Sequence, residues 1–215
     1  MGFINEYDPT THRSEYTLFT KEECKDISKI LLRNEPMVMA IPNTDNNTYK
    51  GLTHQFSVYN WLDNPEMVKY DIPKRLFTLP EFQKEDILYV QCWANILRQG
   101  QNIQDHIHAD TSMTPDMTAF FASNTFISGP TNTGTYYNDT YERNEIGQMH
   151  LIGSLIPHKV KTHMSNTPRI SIAMDIYHAN HPIIESAIRD TSTNFIATSS
   201  VSDRIKRIEN RYKID

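Results

Sequence analysis

From residue 86 onward the chain changes character: Ile87-Leu88-Tyr89-Val90-Gln91-Cys92-Trp93-Ala94-Asn95-Ile96-Leu97 is an almost unbroken run of β-branched, aromatic and apolar residues. Such a run fits a pleated surface better than a helix, where branched side chains lose χ1 freedom, so it predicts one long strand closed by Gly100. Further strand-like runs follow at Met117 to Ser128, Gln148 to Ile152, Lys159 to Thr162 and Arg169 to Tyr177, with polar or Pro/Gly-bearing loops between them. Short strands in series must double over to bury their faces, which predicts two packed sheets of jelly-roll type.

The segment before residue 86 reads differently. Thr20-Lys21-Glu22-Glu23 is a capping box, and Ile27, Ile30 and Leu31 follow at helical spacing. Together they predict a helix over 21–33 that ends near Pro36, with a strand from Tyr16 to Phe19 ahead of it. Residues 65–84 form a weaker helical region, best over 65–78 and broken by Pro73 and Pro80. The runs Asn43 to Thr48 and Thr131 to Gly134 read as surface loops, and Val201 to Asp215 as a short terminal helix. The expected organisation is one structural domain of α+β class. It has an N-terminal elaboration over 1–85 with its helices packed on one sheet, a double-stranded β-helix (cupin-like jelly roll) over 86–180, and an extension over 181–215.

Charge and composition exclude several functions. Asp plus Glu outnumber Lys plus Arg by 26 to 21, a net charge of −5, so the basic field of a general nucleic-acid binder is missing. With only 7 glycines and no Gly-x-Gly-x-x-Gly or Walker loop, dinucleotide and P-loop modes are disfavoured. No Gly-x-Ser-x-Gly elbow is present. The two cysteines, Cys24 and Cys92, are too few for a disulfide framework. No stretch approaches the roughly 18 apolar residues of a membrane span, and Met1 to Asp8 does not read as a leader, so a cytoplasmic, membrane-free protein is expected.

Nine histidines are unevenly placed. In His106-Ile107-His108, strand alternation would set both imidazoles on one face. His158 follows an apolar run, and Arg169-Ile170-Ser171 opens the last strand. Two imidazoles on one strand and a third from a facing strand make a three-cornered site that suits Fe, Zn, Cu or Ni and leaves other positions open. Taken singly, a His-x-His pair is more often two surface or half-buried histidines and Arg169 a surface ion pair, while His163, His178 and His181 compete with His158.

The order of these parts resembles a family. Trp93-Ala94-Asn95, then Gly100, then His106-Ile107-His108 is similar to the Trp-x-Asn, Gly, His-x-His stretch of 2-oxoglutarate/Fe(II)-dependent oxygenases, of the type found in marine bacteria and their phages. Gly147, Ser154-Leu155-Ile156-Pro157-His158 and Arg169-Ile170-Ser171-Ile172 resemble that family's second half, and Leu52 to Leu62 and Phe19 to Cys24 resemble its upstream segments. The resemblance covers most of residues 15–178. It implies an oxidoreductase using Fe(II), 2-oxoglutarate as co-substrate, O2 and an unidentified substrate, by default hydroxylating a C–H bond with release of succinate and CO2. It further implies His106 and His158 as iron ligands and Arg169, helped by Ser171, on the distal carboxylate of 2-oxoglutarate. Asn95 and Tyr89, on the preceding strand, would line the pocket or serve as plain strand residues.

The chain departs from the family where most members carry His-x-Asp or His-x-Glu. Here His108 stands two after His106, and a carboxylate comes only at Asp110. Either His106, His108 and His158 form a three-histidine site, or His108, Asp110 and His158 form the usual triad. The Gly100-to-His106 spacing matches the family and favours the first. Three further readings stand beside the oxygenase. A zinc hydrolase or a cupin-type metal enzyme would use the same histidines but leave Arg169 and Ser171 without a task. A non-catalytic jelly roll, a structural, virion or assembly protein of a phage with virion partners, would need neither. Homo-oligomers are compatible with all of them.

Overall fold

The computed structural model describes residues 7–42, 51–55, 58–85, 87–109, 114–130, 132–184 and 196–198. Among these residues ten strands form two antiparallel sheets: β1 (Arg13–Thr17), β2 (Leu88–Leu97), β3 (Ile103–His106), β4 (Phe121–Ser128), β5 (Gly134–Tyr137), β6 (Thr140–Arg143), β7 (Gln148–Gly153), β8 (His158–Val160), β9 (Arg169–His178) and β10 (Ile196–Thr198). The larger sheet has the order β1-β7-β4-β9-β2-β10 and the smaller β3-β8-β5-β6. This is an α+β double-stranded β-helix, as expected. Its spine is the pairing of β2 with β9, in register from Leu88↔His178 to Leu97↔Arg169. No described helix is long and apolar enough to cross a membrane.

The strand expectations for β2, β7 and β9 hold to within a residue. β1 starts and ends earlier than the predicted Tyr16 to Phe19 and pairs with β7 as an edge of the large sheet. In the Met117 to Ser128 run, a helical turn at Pro115–Thr118 takes the first residues and the strand begins at Phe121. The Thr131 to Gly134 stretch is not all loop, because Gly134 opens β5, which pairs with β6. Asn43 to Thr48 and Val201 to Asp215 lie outside the described residues.

The capping box forms as read: Glu23 N–H donates to Thr20 Oγ1 at 3.2 Å, and Thr20 N–H to Glu23 Oε2 at 2.8 Å. The helix it starts, α1 (Lys21–Met39), runs through Pro36 rather than stopping before it. Proline removes one N–H, but Val38, two residues on, is fully buried in the core and holds the last turn in place. Cys24, Ile27, Ile30 and Leu31 complete the buried stripe. The second predicted helix is not continuous. It is broken into turns at Val68–Tyr70, Ile72–Leu76 and Pro80–Phe82, with Pro73 and Pro80 each at the start of its own turn, where a missing N–H costs least.

One glycine explains how α1 is joined to the sheet. Gly147 has φ +86, and a Cβ there would lie 2.0 Å from the Phe19 carbonyl oxygen. That close approach lets Leu18 N–H donate to Gly147 O at 2.9 Å, tying the entrance of α1 to the start of β7.

Candidate metal centre

The three histidines meet at one mouth of the barrel. His106 ends β3 and His158 begins β8, and the two are direct register partners across the small sheet. The strand stops at His106, so His108 does not share its face by alternation as expected. It lies in the following loop, where its N–H donates to Ser154 O at 2.9 Å. Ser154 is itself fixed, its hydroxyl donating to Thr118 O at 2.5 Å. A loop rather than a strand therefore aims the second imidazole.

Each ring uses its Nδ1 on the side away from its neighbours. His106 Nδ1 lies 2.8 Å from Gln104 O, His158 Nδ1 3.0 Å from Ile156 O, and His108 Nδ1 2.6 Å from Asp175 Oδ1. Oxygen acceptors at all three positions place the N–H on Nδ1 and leave an Nε2 lone pair on each ring. The ligand atoms of the three residues lie within 4.8 Å of one another, with His108 Nε2 and His158 Nε2 3.2 Å apart. Converging lone pairs repel unless a cation lies between them, and three neutral imidazoles with oriented outer partners are the donor set that borderline divalent ions prefer. The residues fit a divalent metal. Burial, then the neighbouring imidazoles of His108 and His106, hold His158 well below the usual histidine pKa, and burial followed by His108 lowers His106. Both are therefore neutral, as ligation requires.

Asp110, the alternative carboxylate, lies outside the described residues. Asp175, on β9, is the carboxylate that the structure puts beside the histidines. A second group of donor atoms, Glu15, Glu142 and His150, also falls within 4.8 Å. It already holds its own cation, because Arg13 contacts Glu142 and lies 3.9 Å from Glu15.

A cavity of about 240 Å³ opens at the three histidines, walled by Trp93, Ile103, Val160 and Ala173 and reaching Asn95 and Thr135. Trp93 stacks on His108 with centroids 5.7 Å apart. Arg169 and Ser171 stand directly behind that wall and do not line it. Arg169 is fully buried, and Nη2 donates to Thr135 Oγ1 at 3.1 Å and Nη1 to Ser171 Oγ at 3.3 Å. With its amide turned to suit its neighbours, Asn144 accepts from Arg169 Nη2 and Nε at 3.0 and 3.2 Å. Among the described residues no carboxylate pairs with this guanidinium. Burial lowers its pKa to about 10, which leaves it charged at neutral pH. Asn95 pairs in register with Ser171, and its Oδ1 has no hydrogen-bond partner among the described residues. Tyr89 is elsewhere, packed with Phe120, Tyr177 and Ile184, and so are His178 and His181 near Tyr177. His163 is spent on Thr167 O at 2.7 Å.

Sequence reasoning missed Asp175 and Thr135. The signal for Asp175 was present: a carboxylate inside Ile172-Ala173-Met174-Asp175-Ile176 must be buried, and buried charge needs a partner.

The sequence itself matches no family profile and no characterised protein. The fold does have solved likenesses. The non-heme monooxygenase ThoJ, in its Ni complex, superposes with a TM-score of 0.52 at 12% identity, over 97% of this chain and 99% of that one. CytC3 with Fe(II) and α-ketoglutarate gives 0.52 at 14%, over 79% and 74%. A prolyl-4-hydroxylase from Pseudomonas putida gives 0.50 at 12%, over 78% and 93%. Of a salicylate 1,2-dioxygenase from Pseudaminobacter salicylatoxidans the chain spans only 24%. At such identities the likeness to ThoJ, CytC3 and the prolyl-4-hydroxylase shows the shared double-stranded β-helix and nothing finer. Residue roles rest on the geometry above.

Proposed function

We propose that this protein is an Fe(II)- and 2-oxoglutarate-dependent dioxygenase with His106, His108 and His158 as its metal ligands. One observation carries the reading: three imidazoles with converging lone pairs share a cavity with Thr135, the hydrogen-bond partner of a buried arginine that has no carboxylate partner among the described residues. A buried guanidinium without a counter-charge is a site for an anion, and its planar fork matches a carboxylate. Zinc hydrolysis would leave that cation unexplained. A small dicarboxylic acid spanning from metal to arginine uses both ends, and a cavity of about 240 Å³ accepts such a ligand but not a dinucleotide.

The chain's own residues do the positioning. The three histidines hold the metal from one side, Asn95 offers its amide to the co-substrate, and Arg169, released from Thr135, would turn its fork to the distal carboxylate. Trp93, Ile103 and Val160 give the cavity an apolar wall. Bound there, Fe(II) with 2-oxoglutarate and O2 supplies the oxidising chemistry, in which succinate and CO2 leave and a substrate C–H bond is hydroxylated.

Anaerobic titration with Fe(II) and then 2-oxoglutarate tests the reading. A visible charge-transfer band that needs both additions supports it. Failure of the protein to retain iron, or no band, would sink it and leave a barrel kept for structure or binding.

A further inference from the structure

The three-histidine centre lacks the carboxylate ligand that lowers the charge of most such sites, and the structure shows a carboxylate one bond away. Asp175 Oδ1 lies 2.6 Å from His108 Nδ1. Both side chains are nearly buried, at 13% and 7% exposure. Among the described residues no Lys or Arg pairs with Asp175, so its charge has no partner other than the imidazole and whatever that imidazole holds. A buried carboxylate without a cation is strongly destabilising, and a metal ion behind His108 removes that penalty. The other two ligands differ. His106 and His158 bond to the backbone carbonyls of Gln104 and Ile156, which are neutral acceptors.

We propose that Asp175 is a positioning residue that supplies the missing carboxylate charge to the metal centre through His108. Three structural features support this. The hydrogen bond fixes the His108 tautomer with Nε2 toward His158, 3.2 Å away. The ring's tilt is set on both sides, by Trp93 at 5.7 Å and 29° and by His158 at 5.0 Å and 14°. Asp175 also reaches His108 from β9 of the large sheet, whereas His106 and His158 belong to the small one, so the charge arrives on a rigid strand that the ligands do not share. A carboxylate pulling on Nδ1–H makes the ring a stronger donor at Nε2, and outer partners of this kind are worth about 10–100-fold in metal affinity. The inference rests on the metal site proposed above.

The test compares wild type, Asp175→Asn and Asp175→Glu. Asparagine keeps the size and an oxygen acceptor for Nδ1–H but removes the charge. The expected result is Fe(II) affinity about 10–100-fold weaker in Asp175→Asn, with the Fe(II)/2-oxoglutarate band moved to shorter wavelength because the iron is less electron-rich, and recovery toward wild type in Asp175→Glu. A purely structural role would leave the affinity and the band of any folded Asp175→Asn protein unchanged, and that result overturns the inference. If the variants do not fold, the Zn(II) form of the wild-type protein decides. The His108 Nδ1–H proton resonance should lie downfield of those of His106 and His158, and coincidence of the three overturns the inference. Wild type that binds no metal at all overturns the functional reading as well. A wild-type band with an indifferent Asp175→Asn overturns this inference alone.

Discussion

His106 and His158 face each other as register partners across β3 and β8, with ring centroids 4.2 Å apart. Two neutral imidazoles so close, and joined by His108, are an expensive arrangement for a chain that binds nothing there. His158 is buried and His106 half-buried beside it, so little of the solvation of an open surface is left to offset the repulsion.

Replacing one of them should therefore separate binding from stability. His158→Ala is expected to abolish metal retention, a loss beyond the about 10–100-fold attached to an outer partner, while the metal-free protein loses no more than about 1–2 kcal/mol of stability. Equilibrium dialysis with Fe(II) or Co(II), run beside urea unfolding of the metal-free form, reads both. Undiminished metal uptake by the variant would remove His158 from the ligand set.

Arg169→Met keeps the buried volume and removes the charge. Fe(II) should still bind, while 2-oxoglutarate affinity drops at least about 100-fold, the equivalent of about 3 kcal/mol for a lost charge-assisted pair. Loss of both ligands together would mean that the variant is unfolded, so circular dichroism accompanies the titration. Unaltered 2-oxoglutarate binding in a folded variant would relocate the anion site.

Acid should unfold the metal-free protein in two stages. Burial lowers His181 to about 4, and His106, His150, His158 and His178 move in the same direction. A histidine that resists protonation in the fold but accepts it near pH 6.5 when unfolded makes protonation favour unfolding. Stability is then complete above pH 6.5 and falls as pH drops toward about 4, by about 2–3 kcal/mol for His181 alone. Glu81 acts later. Burial raises its pKa, but hydrogen bonds from His12, its own backbone, Ser14 and Tyr16 outweigh that and bring it to about 2, so its contribution is lost between pH 4.5 and 2. Urea midpoints measured from pH 7.5 to 3.5 give the first slope, and His181→Phe should flatten it.

Gly147→Ala should be among the costliest single changes outside the site. The left-handed backbone alone costs a β-carbon about 1–2 kcal/mol, and the Phe19 carbonyl at 2.0 Å must move as well. The expected loss is about 3 kcal/mol or more. A change below 1 kcal/mol in urea unfolding would show that the joint between α1 and β7 is soft.

Much of this was legible in the residues. The capping box fixed the start of α1, and the aromatic, β-branched runs marked β2, β7 and β9 because fully buried strands need little polar punctuation. What failed was non-local. Pro36 reads as a stop until Val38 is seen buried beyond it. Thr131 to Gly134 reads as loop because it is a polar run, yet Gly134 opens β5, which needs its smallness where Tyr141 crosses, a Cβ there falling 2.3 Å from the ring. The His-x-His pair was found, but strand alternation gave the wrong reason for its geometry, since β3 ends at His106 and Ser154 aims His108. Asp175 escaped notice because its partner is 67 residues away in sequence.

The stacking of Trp93 on His108 has a practical side. The chain has two tryptophans, and Trp61 is buried in the main core with Leu62 and Tyr59. An ion seated on His108 lies within energy-transfer reach of the indole of Trp93, and most transition ions quench at that range. With the proposed metal site, intrinsic emission would be a built-in gauge of occupancy, able to follow filling and emptying in real time with no label and no turnover.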